Sequence, residues 1–178
     1  MRANDNNDDD NKGDAAPSRR AFIAIAPLAS PAIGSFAAAA AEPCSGGAQS
    51  ASALLDRYVA IVNGHDPSRM AEVCAENYIQ HSGRSGPGLA AQIENYRTIF
   101  ERWPDISMNV DDRIFGDDKL VARNTFSATH SRTVLGVEPT GRKVSFRTID
   151  IWRVADGKFA EHWDIVDVAG LEKQLRGT

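Results

Sequence analysis

His162 and Asp164 stand two residues apart in Glu161-His162-Trp163-Asp164, a stretch that reads as a β-strand, so both side chains leave the same face. An imidazole beside a carboxylate is a pairing that moves protons. A carboxylate in an apolar pocket is pushed towards neutrality by desolvation and becomes a better base. A second carboxylate nearby raises one of the two further. Asp150, on the preceding strand, is the candidate for that second group. Such a set could take a proton from one atom of a bound molecule and return it to another. It could equally activate water in a hydrolase, or do no more than seal the fold by hydrogen bonding.

Whether Asp150 joins the pair depends on the hairpin between the strands. A two-residue loop, Asp156-Gly157, sets Ile151 opposite His162 and sends Asp150 to the other face. A three-residue loop, Ala155-Asp156-Gly157, sets Asp150 opposite His162 and Thr148 opposite Asp164. The second is favoured, because a type I turn closed by a left-handed Gly is a common connection. It gathers Thr148, Asp150, Trp152, His162 and Asp164 on one face. His130 shares a strand face with Phe126 and is expected to line the pocket. His81 is expected at its mouth.

The elements that position these residues follow from periodicity. Leu55, Tyr58, Val59 and Val62 lie at helical spacing within 52–63, and Gly64 ends that helix. Asp66-Pro67 reads as the cap and first residue of a short helix to about Asn77, burying Met70, Val73 and Cys74. A brief extended piece, 78–82, and a loop, 83–88, follow. A third helix, 89–103, has Leu89, Ile93, Tyr96, Phe100 and Trp103 on one face and stops at Pro104. Beyond Pro104 the period falls to two. Strands are expected at 106–115, 120–130, 144–154 and 158–166, with a long loop across Gly136, Pro139 and Gly141 and a closing helix at 169–175. Helices first and an antiparallel meander after make an α+β fold. A curved sheet wrapped on helices leaves a concave, mostly apolar pocket for a small molecule.

Bulk composition agrees with one domain. The chain has 178 residues, 42% hydrophobic and 25% charged, and a formal net charge of −4. The negative balance weighs against nucleic acid as partner. The two cysteines, Cys44 and Cys74, form neither a disulfide scaffold nor a cysteine-based zinc site, and Asp111-Asp112 with Asp117-Asp118 lacks calcium-loop spacing. No metal is expected.

Residues 1–17 are rich in Asp and Asn without apolar periodicity and read as disordered. Ser18-Arg19-Arg20-Ala21-Phe22-Ile23 then leads into an Ala-rich apolar run to Ala41. This resembles a twin-arginine export signal, with cleavage near 39–41. Pro27 and Pro31 oppose a stable membrane span. The expected division is 1–41 signal region, 42–51 linker and 52–178 domain, with the mature protein periplasmic or extracellular and no membrane contact after cleavage.

Several marks taken together resemble the SnoaL-like polyketide cyclase (ester cyclase) family of the nuclear transport factor 2-like, cystatin-like fold. They are Ala128-Thr129-His130, Gly136-Val137-Glu138-Pro139-Thr140-Gly141-Arg142, Asp150-Ile151-Trp152-Arg153, Asp156-Gly157-Lys158, Glu161-His162-Trp163-Asp164, Asp167 and Gln174-Leu175. Tyr78-Ile79-Gln80-His81 and Trp103-Pro104-Asp105 fit the first half, and the likeness covers roughly residues 52–177. The resemblance implies a cone-shaped α+β fold, cofactor-free aldol chemistry and a homodimer. It places the acid/base aspartate on Asp164 and retains His162. The family's pocket histidine falls on Asp150, a departure, because a carboxylate cannot donate a hydrogen bond unless protonated. The expected catalytic set is therefore Asp164, His162 and Asp150. His81, His130, Phe126, Thr148 and Trp152 are expected against a small hydrophobic carbonyl compound. Two other uses fit the same fold: a small-molecule-binding protein without catalysis, and a subunit-interface protein.

Overall fold

The computed structural model describes residues 45–178. Arg19-Arg20, the cleavage region 39–41 and Cys44 lie outside the described residues. Helix α1, Ser45–Asn63, buries Leu54, Leu55, Tyr58, Ile61 and Val62, a stripe at helical spacing. It starts earlier than the apolar periodicity indicates, inside the segment expected to be a linker. Ala51 extends the buried face by most of a turn without adding a strong hydrophobic signal.

Asp66 caps a 3-10 helix, Pro67–Glu72, by accepting a hydrogen bond from the Ser68 amide. The helix stops there instead of running to Asn77. Cys74–Gln80 forms strand β1, and the Phe159 amide bonds to the Val73 carbonyl at 2.8 Å. Met70, Val73 and Cys74 are buried as expected, but the spacing that suggested a longer helix is compatible with a turn entering a strand. Long-range pairing decides between the two.

Helix α2, Leu89–Arg102, leads to strands β2, Ser107–Gly116, β3, Lys119–Thr129, β4, Lys143–Ala155, and β5, Lys158–Val166; helix α3, Val168–Arg176, closes the chain. The meander β2–β3–β4–β5 is antiparallel. β1 adds a parallel edge against β5, giving the order β1-β5-β4-β3-β2. The helices pack on this curved sheet, an α+β architecture. Bulges interrupt the register between Val110 and Asp112 and beside Arg153–Val154, and such insertions bend and twist a sheet.

The hairpin from β4 to β5 corrects the sequence reading. Asp156 (φ 51°) and Gly157 (φ 72°) form a two-residue loop between the paired residues Ala155 and Lys158. Two successive positive φ values are the mirror-image turn that matches strand twist, and they explain the Asp-Gly pair. Alone, this loop would turn Asp150 away from His162. Ala160 intervenes as an unpaired extra residue: Val154 pairs with Phe159, and Arg153 with Glu161. The register beyond is Trp152 with His162, Asp150 with Asp164 and Thr148 with Val166. The expected partners were therefore wrong by two residues, while the expected common face is correct.

Two apolar clusters form on the inner face. One gathers Leu55, Tyr58, Ile61, Tyr96, Leu120, Trp152 and Phe159, and the other Trp103, Ile106, Ala128, Val144, Leu171 and Leu175. Between them, on β3, β4 and β5, lie the buried polar residues Asn124, Thr148, Asp150 and His162.

Candidate functional site

Asp150 sits in the middle of β4 with almost no exposure, and its carboxylate is surrounded by donors. His162 Nε2 lies 2.9 Å from Oδ1. Asn124 Nδ2 donates to Oδ2 at 2.7 Å, and the Thr148 hydroxyl donates to the same oxygen. The direction of the imidazole proton follows from Gln80. Its Oε1 accepts from the Ser82 amide at 3.2 Å, which turns Nε2 towards His162 Nδ1 at 2.8 Å. Nδ1 therefore accepts, and Nε2–H donates to Asp150. Trp152 stacks on the ring with centroids 4.9 Å apart and 5° between planes. His162 is fixed in position, tautomer and plane. Asp150 is satisfied as a carboxylate, with both oxygens accepting hydrogen bonds.

Asp164 is held differently. Its side chain is only 4% exposed, and its one ionic partner among the described residues is Arg84, itself 50% exposed, which contacts Oδ2. Oδ1 is buried with no hydrogen-bond partner. A buried carboxylate oxygen without a donor is costly unless a ligand or a proton completes it. Arg84 belongs to the loop between β1 and α2. That loop is tied at its ends by His81 N to His162 O (2.8 Å) and Gly88 N to Tyr78 O (2.6 Å).

These groups line a cavity of about 470 Å³. Its floor carries Thr148, Asp150, His162 and Asp164, and Arg84 and Gln80 stand at the same end. Phe126, Phe146, Val134, Val166 and Leu171 form the apolar remainder. The roof is one face of α2, with Gln92, Asn95, Tyr96, Ile99 and Arg102, and Trp103 just past its end. Tyr58 reaches in from α1, and its hydroxyl is bonded to that of Tyr96. Burial, first, and the neighbouring tyrosines push the Tyr58 phenol well above its ordinary pKa. Burial likewise raises Tyr96. Both therefore stay protonated. A pair of hydroxyls uses one proton between them, which leaves the other free to donate. Gln92 is 1% exposed and its Oε1 has no partner. Among the described residues, no group of three or more His, Cys, Asp or Glu side chains is arranged to hold a metal ion.

Asp164, His162, Asp150, Thr148 and Phe126 thus line one cavity. Three other expected contacts do not. Trp152 is fully buried beneath His162, stacked also on Phe159 and met edge-on by Tyr58. His130 lies just past the end of β3, fully buried, with Nδ1 bonded to Thr140 Oγ1 at 3.0 Å. His81 is on the outer side of the sheet, stacked on Trp163 at 4.3 Å and paired with Glu161 at 2.9 Å. Asn124 carried a signal in the sequence: it is the polar residue in the inward series Leu120, Ala122, Asn124, Phe126, Ala128. Tyr58 and Tyr96 were legible as core aromatics only. Arg84, in a loop without periodicity, had no signal at all.

A family model described as SnoaL-like polyketide cyclase matches residues 52–175. TsrD from Streptomyces laurentii is similar in structure, with TM-score 0.68 and 32% identity over 73% of this chain and 97% of that one. AclR from Streptomyces galilaeus, described as a candidate hydroxylase, has TM-score 0.65 and 27% identity over 74% and 87%. IdmH from Streptomyces antibioticus, described as a candidate polyketide cyclase, has TM-score 0.64 and 25% identity over 71% and 98%. Among curated proteins, none matches the chain.

Proposed function

We propose that this chain, which belongs to the SnoaL-like polyketide cyclase family, performs acid/base chemistry on a small hydrophobic carbonyl compound without a cofactor, with Asp164 as the group that takes and returns the proton. The observation that carries this is the inequality of the two floor carboxylates. Asp150 has both oxygens occupied by donors, whereas Asp164 has a buried oxygen with none. The first orients; the second is available to react. The free tyrosine proton of the Tyr58–Tyr96 pair supplies a neutral donor for a carbonyl oxygen. The apolar remainder of the cavity suits a hydrophobic body. Aldol-type cyclisation and isomerisation both begin with removal of a proton next to a carbonyl, and hydrolysis would use the same carboxylate on water. Relatives described as candidate cyclase and candidate hydroxylase are consistent with one site serving several reactions.

The test is hydrogen–deuterium exchange at the carbon next to the carbonyl of a slowly exchanging fused-ring ketone such as a tetralone, followed by NMR in D2O. Exchange accelerated by the protein and lost in Asp164→Asn supports the reading. Exchange unchanged in that variant removes Asp164 from the role.

A second reading is a binding protein without catalysis. Its support is that Arg84 occupies one oxygen of Asp164. Retention of a hydrophobic ketone by an Asp150→Asn, Asp164→Asn double variant, with no exchange in the parent, would favour it.

Arg19-Arg20 and the apolar run to Ala41 are proposed to direct export, placing residues 52–178 outside the cytoplasm. The outer face of the sheet is proposed to pair with a second copy. Ile149 and Ile165 oppose each other there, 43% and 76% exposed, beside Ile151 and Trp163.

A further inference from the structure

We propose that Arg84 is a catalytic residue, the counter-ion that passes from the Asp164 carboxylate to the substrate's enolate oxygen as the proton passes to Asp164. The inference rests on the reading of Asp164 as base and adds the group that receives the charge.

Asp164 is nearly sealed from solvent, yet its one ionic partner among the described residues is a half-exposed guanidinium from a loop. The pair neutralises a carboxylate that is otherwise buried without a donor. Its placement also has a chemical consequence. Arg84 contacts one oxygen of Asp164, the other has no partner, and Arg84 and Asp164 both line the cavity. A substrate whose acidic carbon approaches Asp164 must therefore come up beside the guanidinium.

The step balances as follows. The C–H bond next to the carbonyl breaks, and its proton forms an O–H bond on Asp164. The electron pair forms the carbon–carbon double bond of the enolate, and the carbonyl π electrons move onto oxygen. One negative charge leaves Asp164 and appears on the enolate oxygen. The guanidinium, which cannot lose its own proton near neutral pH, is then without its carboxylate and next to the new anion. A fixed positive group at the position where charge develops stabilises the transition state more than the ground state. Arg84 has five donors in a planar fork, so it can hold the Asp164 oxygen and the substrate oxygen at once.

The consequence for ligand class is specific. The occupant is a carbonyl compound whose oxygen, one bond from the acidic carbon, becomes anionic next to Arg84. The unpartnered Gln92 Oε1 and the free tyrosine proton on the helical roof leave an acceptor and a donor for further oxygen groups on the same molecule.

The probe is para-nitrophenol, whose phenolate mimics an enolate and absorbs at a different wavelength from the phenol. It is titrated into the whole protein, Asp164→Asn, Arg84→Met, and double variants that join Asp164→Asn to Arg84→Met or Arg84→Lys. Asn at 164 imitates the protonated base. The expected result is that Asp164→Asn binds the phenolate about tenfold or more tightly than the parent and lowers its bound pKa by about one unit. Adding Arg84→Met abolishes both effects, and Arg84→Lys restores part of the shift. Circular dichroism checks that Arg84→Met remains folded. Equal phenolate binding and equal bound pKa with and without Arg84 would overturn the proposal, as would absence of phenolate binding to Asp164→Asn. The tetralone assay separates the two readings. Exchange lost in Asp164→Asn, together with phenolate binding indifferent to Arg84, leaves Asp164 as base and removes only Arg84.

Discussion

Gln80 and His162 are joined by a 2.8 Å contact between amide Nε2 and ring Nδ1, and this contact decides where the imidazole proton points. The amide itself is oriented by the Ser82 backbone, so a loop residue beyond β1 sets the tautomer of a histidine on β5. The proton on Nε2 is thereby directed to Asp150, which leaves Asp164 as the carboxylate without a hydrogen-bond donor on Oδ1.

Asp150→Asn should be destabilising. Three donors converge on the carboxylate, and an amide can accept on one atom only, so its NH2 must face a donor inside the protein. A loss of about 2–4 kcal/mol is expected, in the range for a disrupted buried polar network. Urea unfolding measures it. Thr148→Val removes one donor and leaves the carboxylate otherwise satisfied, so it should cost about 1–2 kcal/mol. A loss in Asp150→Asn no larger than in Thr148→Val would show that the network is not organised around Asp150.

The sequence made this face legible for the wrong local reason. Period-two alternation put Thr148, Asp150 and Trp152 together, and the same alternation put His162 with Asp164. Relating the two strands required knowing the hairpin, where Asp156-Gly157 and Ala155-Asp156-Gly157 are both good turns. The answer combines the two-residue turn with a bulge at Ala160, and a bulge leaves no periodic trace when its residue is a small Ala. β1 was hidden similarly, because its pairing with β5 is a long-range event. Arg84 was beyond sequence reasoning, since its meaning comes only from the carboxylate it meets.

Acid sensitivity should depend on Asp105. Hydrogen bonds from the Thr129 hydroxyl and amide, then the Lys143 ammonium, hold its carboxyl well below the usual carboxylate range. A depressed folded-state pKa contributes stability that is present above the unfolded value of about 4 and is lost as pH falls through the folded value. Asp105→Asn should therefore lower the urea midpoint most above about pH 5, with the gap to the parent narrowing below about pH 4. A gap constant across that range would contradict the assignment.

Cys74 should be inert in the folded protein. It is fully buried, and burial pushes its thiol up to about 12. The thiolate is the reactive form, so a thiol reagent at pH 8 should leave Cys74 unmodified in a Cys44→Ser background and label it only after unfolding. Rapid labelling under native conditions would mean that the β1 edge opens readily.

The exposed outer face should control self-association. Ile165→Asp places a charge where two isoleucines oppose each other across β4 and β5. Sedimentation velocity is expected to show a dimer for the parent and a monomer for the variant, with unchanged circular dichroism. A monomeric parent would remove the proposal.

The most direct test is the deuterium exchange of a tetralone measured in parallel for the parent, Asp164→Asn and Thr148→Val. The account predicts that Asp164→Asn loses about 100-fold or more of the protein-dependent exchange, the scale of a general base. It predicts that Thr148→Val, which perturbs only the orienting network, stays within about tenfold of the parent. Asp164→Asn exchanging at the parent's rate would contradict the account.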